Sequence, residues 1–417
     1  MADNGPLFGL LVEVEVGAPA HGGSCVARHD GRVIFVRHAL PGELVQARVT
    51  EDRGGAFCRA DAVAVLRAAQ ERVTPPCPHA GPGRCGGCDW QHASGAVQRD
   101  MKSAIVREQF DRLAGLDIAD LFIGVEALPG GLLGWRTRIA YAVAPDGRPG
   151  LRRHRSHHVE VLDACPLGVP GVGDSAVLSR AWPGLSGVEV ARGAEGLSVL
   201  AHRPGRGRQA RGRRPPDRVE VIDGASRLTH HVGDRAFTVA ADGFWQVHPD
   251  APAAFAGAVL AAVAPQAGET VLDLYAGAGM LTALLADAVG STGRVVGLEA
   301  SRAAVADAAQ NLAEQPWAEV RQARVDEASL AALATDPDVI VLDPPRAGAG
   351  RAVLAALLAM RPRAIGYVAC DPAALARDVR VAREAGWALT TLRAFDAFPM
   401  THHVECIALL TPAQSGG

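Results

Sequence analysis

The stretch AIGYVACDPAALARDVRVARE, Ala364–Glu384, decides the fold class. Its apolar first half reads as a buried strand, and AALARDVRVARE reads as an amphipathic helix. Cys370 therefore falls where strand meets helix, and in open α/β sheets ligands bind at that edge. Working outward, the same alternation runs from Ala251 onward. A helix Pro252–Val263 precedes the strand TVLDLY, a helix follows GAGM, and then come the strand RVVGLE, a helix Arg302–Glu314, the strand DVIVLD and a helix from Ala352. Strands alternating with helices predict a doubly wound parallel sheet, a Rossmann-like α/β domain over residues 251–417.

At 417 residues the chain has room for two to four domains. Its opening, MADNGPLFGLLVEVEV, lacks the basic region of a secretory signal, and there is no run of about 18 apolar residues, so a soluble, cytoplasmic protein with no membrane span is expected. The net charge of −3 by itself suggests no polyanionic partner, yet seven arginines crowd His202–Arg218 and four crowd Arg148–His158. Such blocks can face RNA. Against this, Lys102 is the only lysine, so the arginine richness also fits composition bias and solvated loops. The eight cysteines are expected to serve as metal ligands or nucleophiles rather than disulfides.

Ahead of the α/β region, Leu10–Leu66 alternates short β-type runs (LVEVEV, RVIFVRH, ELVQARVT, ADAVAVL) with turn clusters, which predicts a small β-barrel. Pro75–Trp90 is a proline-, glycine- and cysteine-rich loop that needs something other than apolar packing to hold it. A helix is expected over Ala93–Leu116, followed by mixed strands to Val239 with a mobile insert at Arg203–Pro216. The expected units are a barrel at 1–68, a central α+β domain at 69–250 and the Rossmann-like domain at 251–417.

VLDLYAGAGM, Val271–Met280, is a strand entering a glycine turn and a helix. Gly277 and Gly279 permit close backbone approach to a ligand at a helix N-terminus. Glu299, about 20 residues on at the end of the next strand, suits the two hydroxyls of a ribose. The spacing alone leaves NAD and S-adenosylmethionine open. The methyl donor is favoured because the turn reads D-x-x-x-G-x-G, and because Asp343-Pro344-Pro345 sets a rigid backbone beside a carboxylate, a shape suited to a flat base.

Cys370, beside a helix N-terminus, is a candidate nucleophile, the alternative being a small core residue. Glu405, inside the apolar FPMTHHVECIALL, is a candidate base, since burial would raise its pKa toward a useful range; the alternative is an edge-strand glutamate facing solvent. Cys77, Cys85 and Cys88 form C-x7-C-x2-C, with Cys165 as fourth ligand, a set that suits zinc or a [4Fe-4S] cluster. Cys25, Cys58 and Cys406 have no partner pattern and are expected in packing.

ADGFWQVHP, VLDLYAGAGM, VLDPPRAG, YVACDPAALARD and FPMTHHVE, in that order, resemble the motifs of the uracil-C5 RNA methyltransferase family. The N-terminal barrel resembles a TRAM domain, and CPHAGPGRCGGCDWQH is similar to the iron–sulfur branch that methylates ribosomal RNA. The resemblance implies a class I methyltransferase domain using S-adenosylmethionine, a [4Fe-4S] cluster rather than zinc, and RNA as partner, with ribosomal ahead of transfer RNA and no obligate protein partner. It implies Cys370 as nucleophile at uracil C6 and Glu405 as the base that removes the C5 proton. Gln246, Tyr275, Glu299 and Asp343 would contact the methyl donor, with Gln246 and Asp343 also near the target base. Asp371, His248 and Met280 depart from the family's usual residues, and an acid at 371 would raise the neighbouring thiol pKa. Trp90 is expected to stack on RNA bases. Two other classes stay open: a non-catalytic iron–sulfur RNA-binding protein, and a small-molecule methyltransferase, which would need neither barrel nor cysteine loop.

Overall fold

The computed structural model describes residues 5–205, 215–333 and 335–413. Five strands, β1 (Leu11–Ala20), β2 (Ser24–His29), β3 (Arg32–Arg37), β4 (Leu44–Asp52) and β5 (Phe57–Arg67), close a barrel in the order β1-β2-β3-β5-β4. In β1 every second residue of the VEVEV run is buried, the period-2 pattern of a strand with one face on a core. SCVARH, absent from the sequence-based strands, forms β2, and its Cys25 is buried in the barrel core.

A single helix, α1 (Gly95–Gln109), follows, capped by Ser94 accepting from the Val97 N–H at 3.4 Å, and it ends in a π-turn over Phe110–Ala114 that the helical period did not separate. After the short β6 (Val125–Ala127), a six-stranded antiparallel sheet is built from β7 (Arg138–Val143), β8 (Pro149–Arg152), β9 (Val159–Val161), β10 (Gly187–Gly193), β11 (Gly196–Arg203) and β12 (Arg218–Asp223). A hairpin, β13 (Arg227–Val232) and β14 (Arg235–Ala240), leads to the C-terminal unit. Most of the arginine-rich insert expected at Arg203–Pro216 lies outside the described residues.

The C-terminal unit runs α2 (Ala251–Val263), β15 (Thr270–Leu274), α3 (Met280–Val289), β16 (Arg294–Glu299), α4 (Arg302–Asn311), β17 (Ala318–Gln322), α5 (Glu327–Ala332), β18 (Val339–Leu342), α6 (Arg351–Ala359), β19 (Ala364–Ala369), α7 (Pro372–Glu384), β20 (Trp387–Asp396) and β21 (Glu405–Pro412). Its sheet has the order β17-β16-β15-β18-β19-β21-β20-β6. β15 through β19 are parallel, and β15, β16, β18 and β19 are buried on both faces, which is why they read as apolar runs, whereas the edge strand β17 (AEVRQ) is half-exposed. The sheet is not wholly parallel, since β21 runs antiparallel to both β19 and β20 and β6 joins from outside the unit. Among the described residues no helix is long and apolar enough to cross a membrane.

Candidate active site and cysteine loop

The parallel strands deliver their C-terminal residues to one edge: Leu274 then Tyr275, Glu299, Leu342 then Asp343, and Ala369 then Cys370. β21 brings Glu405 to the same edge because it runs the other way, so that its first residue, not its last, lies there. Ala369 pairs with Cys406, which sets Glu405 beside the end of β19 and Cys370. Glu405, Cys370, Asp343, Tyr275, Gly277, Glu299 and Gln246 all line one cavity of about 870 Å³. Of the expected ligand-contacting residues only Gly279 is not in its wall. That glycine starts α3 at φ 82°, where an added Cβ would lie 3.0 Å from that of Ala308, so it serves the approach of α4.

At the glycine turn, the Gly277 N–H donates to Glu299 Oε2 at 3.0 Å and the Ser301 N–H donates to Oε1 at 2.7 Å, which fixes the carboxylate's orientation. Gly277 has φ 54° and open space where a Cβ would stand, a cradle of the kind a close-lying ligand requires. Tyr275 adopts φ 64°, a conformation side-chain-bearing residues avoid and functional sites tolerate.

Burial pushes the Cys370 thiol up to about 11, reinforced by Glu405 and Asp343 and opposed by Arg346. Burial likewise raises Glu405 well above the usual carboxylate range, with Asp343 adding to the rise and Arg346 again opposing it. Burial, with Asp273, lifts Asp343 to about 7. Glu405 is 5% exposed, so the solvent-facing alternative for it does not hold. Arg346, directly after Pro345, is the cation shared by both candidate catalytic groups, and sequence reading missed it although it stands inside a quoted motif. His403 and Phe398 also line the cavity and were missed; burial holds His403 down to about 3, so it is neutral at physiological pH.

The three unusual residues have local explanations. Asp371 caps α7 by accepting from the Ala374 N–H at 2.8 Å, and His21, from the β1–β2 turn of the barrel, meets it at 3.1 Å. Burial would raise that carboxyl, but these two partners hold it below its ordinary value. The causes acting on Cys370 lie in burial, Glu405 and Asp343, not in its neighbour. His248 is buried, stacked on Trp135 at 5.9 Å, and Met280 opens α3 against the core.

Cys77, Cys85, Cys88 and Cys165 line one small enclosed cavity at the base of the Pro75–Trp90 loop. Gln91 Nε2 donates to Cys88 Sγ at 3.1 Å and the Gly87 N–H to Cys85 Sγ at 3.4 Å. Burial drives the Cys85 and Cys88 thiols up to about 11 and about 12. Among the described residues no three His, Cys, Asp or Glu side chains are grouped so as to hold a single metal ion. Trp90 is a correction: it is 1% exposed, packs in the barrel core and donates from Nε1 to the Gly23 carbonyl at 3.1 Å, so it presents no face to a base. Cys25, Cys58 and Cys406 are buried packing residues, as expected. In the Arg148–His158 block, Arg148, Arg153 and Arg155 pair with Asp146, Glu160 and Glu51.

Residues 229–413 match the family model described as tRNA (Uracil-5-)-methyltransferase, and residues 9–63 match the TRAM domain. An uncharacterized RNA methyltransferase of Streptomyces avermitilis is 46% identical over 98% of this chain and 100% of its own length. The 23S rRNA (uracil(1939)-C(5))-methyltransferase RlmD of Chromohalobacter salexigens is 33% identical over 94% of this chain and 87% of its own. Among solved structures, the tRNA (uracil-54, C5)-methyltransferase of Pyrococcus abyssi, in complex with S-adenosyl-L-homocysteine, superposes with a TM-score of 0.70 at 21% identity over 96% of this chain and 99% of that one, a likeness of fold. With the barrel matched to TRAM, the α/β unit matched to the methyltransferase model and full-length relatives above 30% identity, the chain belongs to the uracil-C5 RNA methyltransferase family.

Proposed function

We propose that the protein uses S-adenosylmethionine to methylate C5 of a specific uridine in structured RNA, with 23S rRNA ahead of tRNA, through a covalent bond between Cys370 and uracil C6. The observation that carries this reading is the antiparallel register of β21, which sets Glu405 beside Cys370 in a cavity whose other end holds Tyr275, Gly277 and Glu299. The preference for 23S rRNA rests on the RlmD relative, which is nearer in sequence than the tRNA enzyme.

Uracil C5 is too weakly nucleophilic to be methylated unaided. Attack of the Cys370 thiolate on C6 forms the S–C6 bond and makes C5 enolate-like. When bound, S-adenosylmethionine supplies an electrophilic methyl group, which C5 takes as the sulfonium's S–CH₃ bond breaks. Glu405 then removes the C5 proton, the C5=C6 bond re-forms, and the S–C6 bond breaks to return the Cys370 thiolate. Arg346 stabilises both groups in the charged forms they need. The target base must leave its stack to enter such a cavity. RNA-dependent release of tritium from uracil C5 tests the reading; no release from either ribosomal or transfer RNA would overturn it.

At the donor end, Glu299 is assigned the ribose hydroxyls. Glu299→Ala is expected to weaken S-adenosylhomocysteine binding roughly 10- to 100-fold, since hydrogen bonds to a charged group contribute about 1.5–3 kcal/mol. Calorimetric titration checks this, and an unchanged Kd would remove Glu299 from the site.

For the cysteine loop we propose a [4Fe-4S] cluster held by Cys77, Cys85, Cys88 and Cys165, with zinc as the alternative. Four thiols around one cavity, Cys77 and Cys165 buried and Cys85 and Cys88 half-buried and already accepting N–H donors, are a donor set suited to it. The cluster would cross-link the loop to the central sheet, and methyl transfer, which moves no electrons, needs nothing from it chemically. Anaerobically purified protein is expected to contain iron and sulfide and to absorb in the visible, and Cys85→Ser to lose most of that iron. Stoichiometric zinc in place of iron would decide for the alternative. The division into units at 1–68, 69–250 and 251–417 is part of the same proposal.

A further inference from the structure

We propose that Asp89, the residue after Cys88, is a positioning residue for the base: it holds the segment between β20 and β21 so that Glu405 meets the C5 proton. The inference rests on the Cys370–Glu405 reading above and adds to it a residue from a distant part of the chain.

The segment Ala397–Val404 leads directly into Glu405 and lies outside the strands that flank it. Its shape is imposed from elsewhere. The backbone N–H groups of Asp89 and Trp90 both donate to the Met400 carbonyl, at 2.9 and 3.0 Å. Asp89 Oδ2 accepts from the His402 N–H at 3.2 Å and stands 2.7 Å from His402 Nδ1. Asp89 Oδ1 accepts from Arg37 Nη2, on β3 of the barrel, at 3.3 Å. Gln98 of α1 completes the clamp, accepting from the Met400 N–H at 2.7 Å. Met400 itself sits at φ 67°, a backbone state that persists in a residue with a side chain only where its surroundings over-determine it. Asp89 is 9% exposed, so these bonds are shielded from competing water.

Among the described residues, no hydrogen bond or ion pair of Arg37, Asp89, Trp90, Gln98, Met400 or His402 reaches β19 or the start of α7, between which Cys370 lies. Loosening it should therefore spare thiolate attack and methyl transfer and slow proton removal. A base displaced by about 1 Å costs on the order of 10²-fold. The species left waiting is the methylated adduct, with S–C6 intact and the C5 proton still in place, a protein–RNA crosslink that survives denaturation.

The test uses the full-length protein, a 23S rRNA transcript tritiated at uracil C5 and S-adenosylmethionine, with Glu405→Gln as reference. Asp89→Ala and His402→Ala are each expected to lower kcat roughly 10- to 100-fold, the range for partners that orient a functional group, with KM for RNA within about twofold. Both should accumulate the crosslinked band, and Asp89→Asn, which keeps an acceptor for His402, should recover most of the rate. His402→Ala changes no residue of the cysteine loop, and an iron content equal to that of the unaltered protein would show that the loop stays assembled in it. If Glu405→Gln accumulates the adduct while Asp89→Ala and His402→Ala either turn over normally or lose rate with no adduct, the positioning role is overturned. If Glu405→Gln itself accumulates none, the base assignment falls and this inference falls with it.

Discussion

Cys370→Ala is expected to abolish methylation and tritium release together, a loss on the order of 10⁴- to 10⁶-fold, the scale seen when a nucleophile is removed. The size follows from the chemistry: without the S–C6 bond C5 has no enolate character, and no binding energy elsewhere in the cavity substitutes for it. Glu405→Gln should differ in kind. It leaves the nucleophile and the donor site in place, so the RNA becomes attached and stays attached. Denaturing electrophoresis with labelled RNA separates the two outcomes, a retained band for Glu405→Gln and none for Cys370→Ala. A Cys370→Ala protein that still released tritium would exclude attack by this residue.

The second large effect concerns stability. Lys102, on α1, is fully buried, and its Nζ lies 2.5 Å from Asp396 Oδ1 and 3.1 Å from the Phe398 carbonyl. Burial, with Arg99 adding to it, lowers the pKa of this ammonium below its ordinary value, while Asp396 opposes the fall. Lys102→Ala is expected to cost about 3–5 kcal/mol, because it strands the Asp396 carboxylate in the interior. Replacing both partners with apolar residues of similar volume, Lys102→Met with Asp396→Leu, should restore much of the loss. Denaturant unfolding of the single and double variants measures it, and a loss under about 1 kcal/mol for Lys102→Ala would show that the charge is solvated after all. Asp396 ends β20, so the same pair anchors the start of the segment that leads to Glu405.

The α/β unit was legible because strands buried on both faces are written as apolar runs, because a proline marks the turn just after Asp343 and just beyond Cys370, and because Glu299 ends a strand about 20 residues on from the glycine turn. What period and composition could not carry was direction. Nothing in ECIALL states that it runs antiparallel to β19, yet that reversal is what sets Glu405 beside Cys370. β6 was equally hidden, three residues that join a sheet whose other strands begin about 145 residues later. Trp90 misled for a related reason: an aromatic in a polar, glycine-rich loop looks available to a ligand, and its burial depends on a barrel that precedes it in the chain. Asp371 looked like an unbalanced acid until the fold brought His21 to it. Such pairings between remote segments leave no trace in either residue's neighbours along the chain.

Trp90 also bears on how this protein could have been assembled. The barrel's apolar interior is completed by Trp90, Ala93, Met101 and Ile105, none of which belongs to its own strands. A barrel cut out at its last strand would carry an unfilled hole where an indole should be, and one transplanted from a relative would have to match a plug it did not bring. The TRAM barrel and the loop that follows it are therefore a single heritable piece, and shuffling between family members should find its crossover points after α1, not at the end of the barrel.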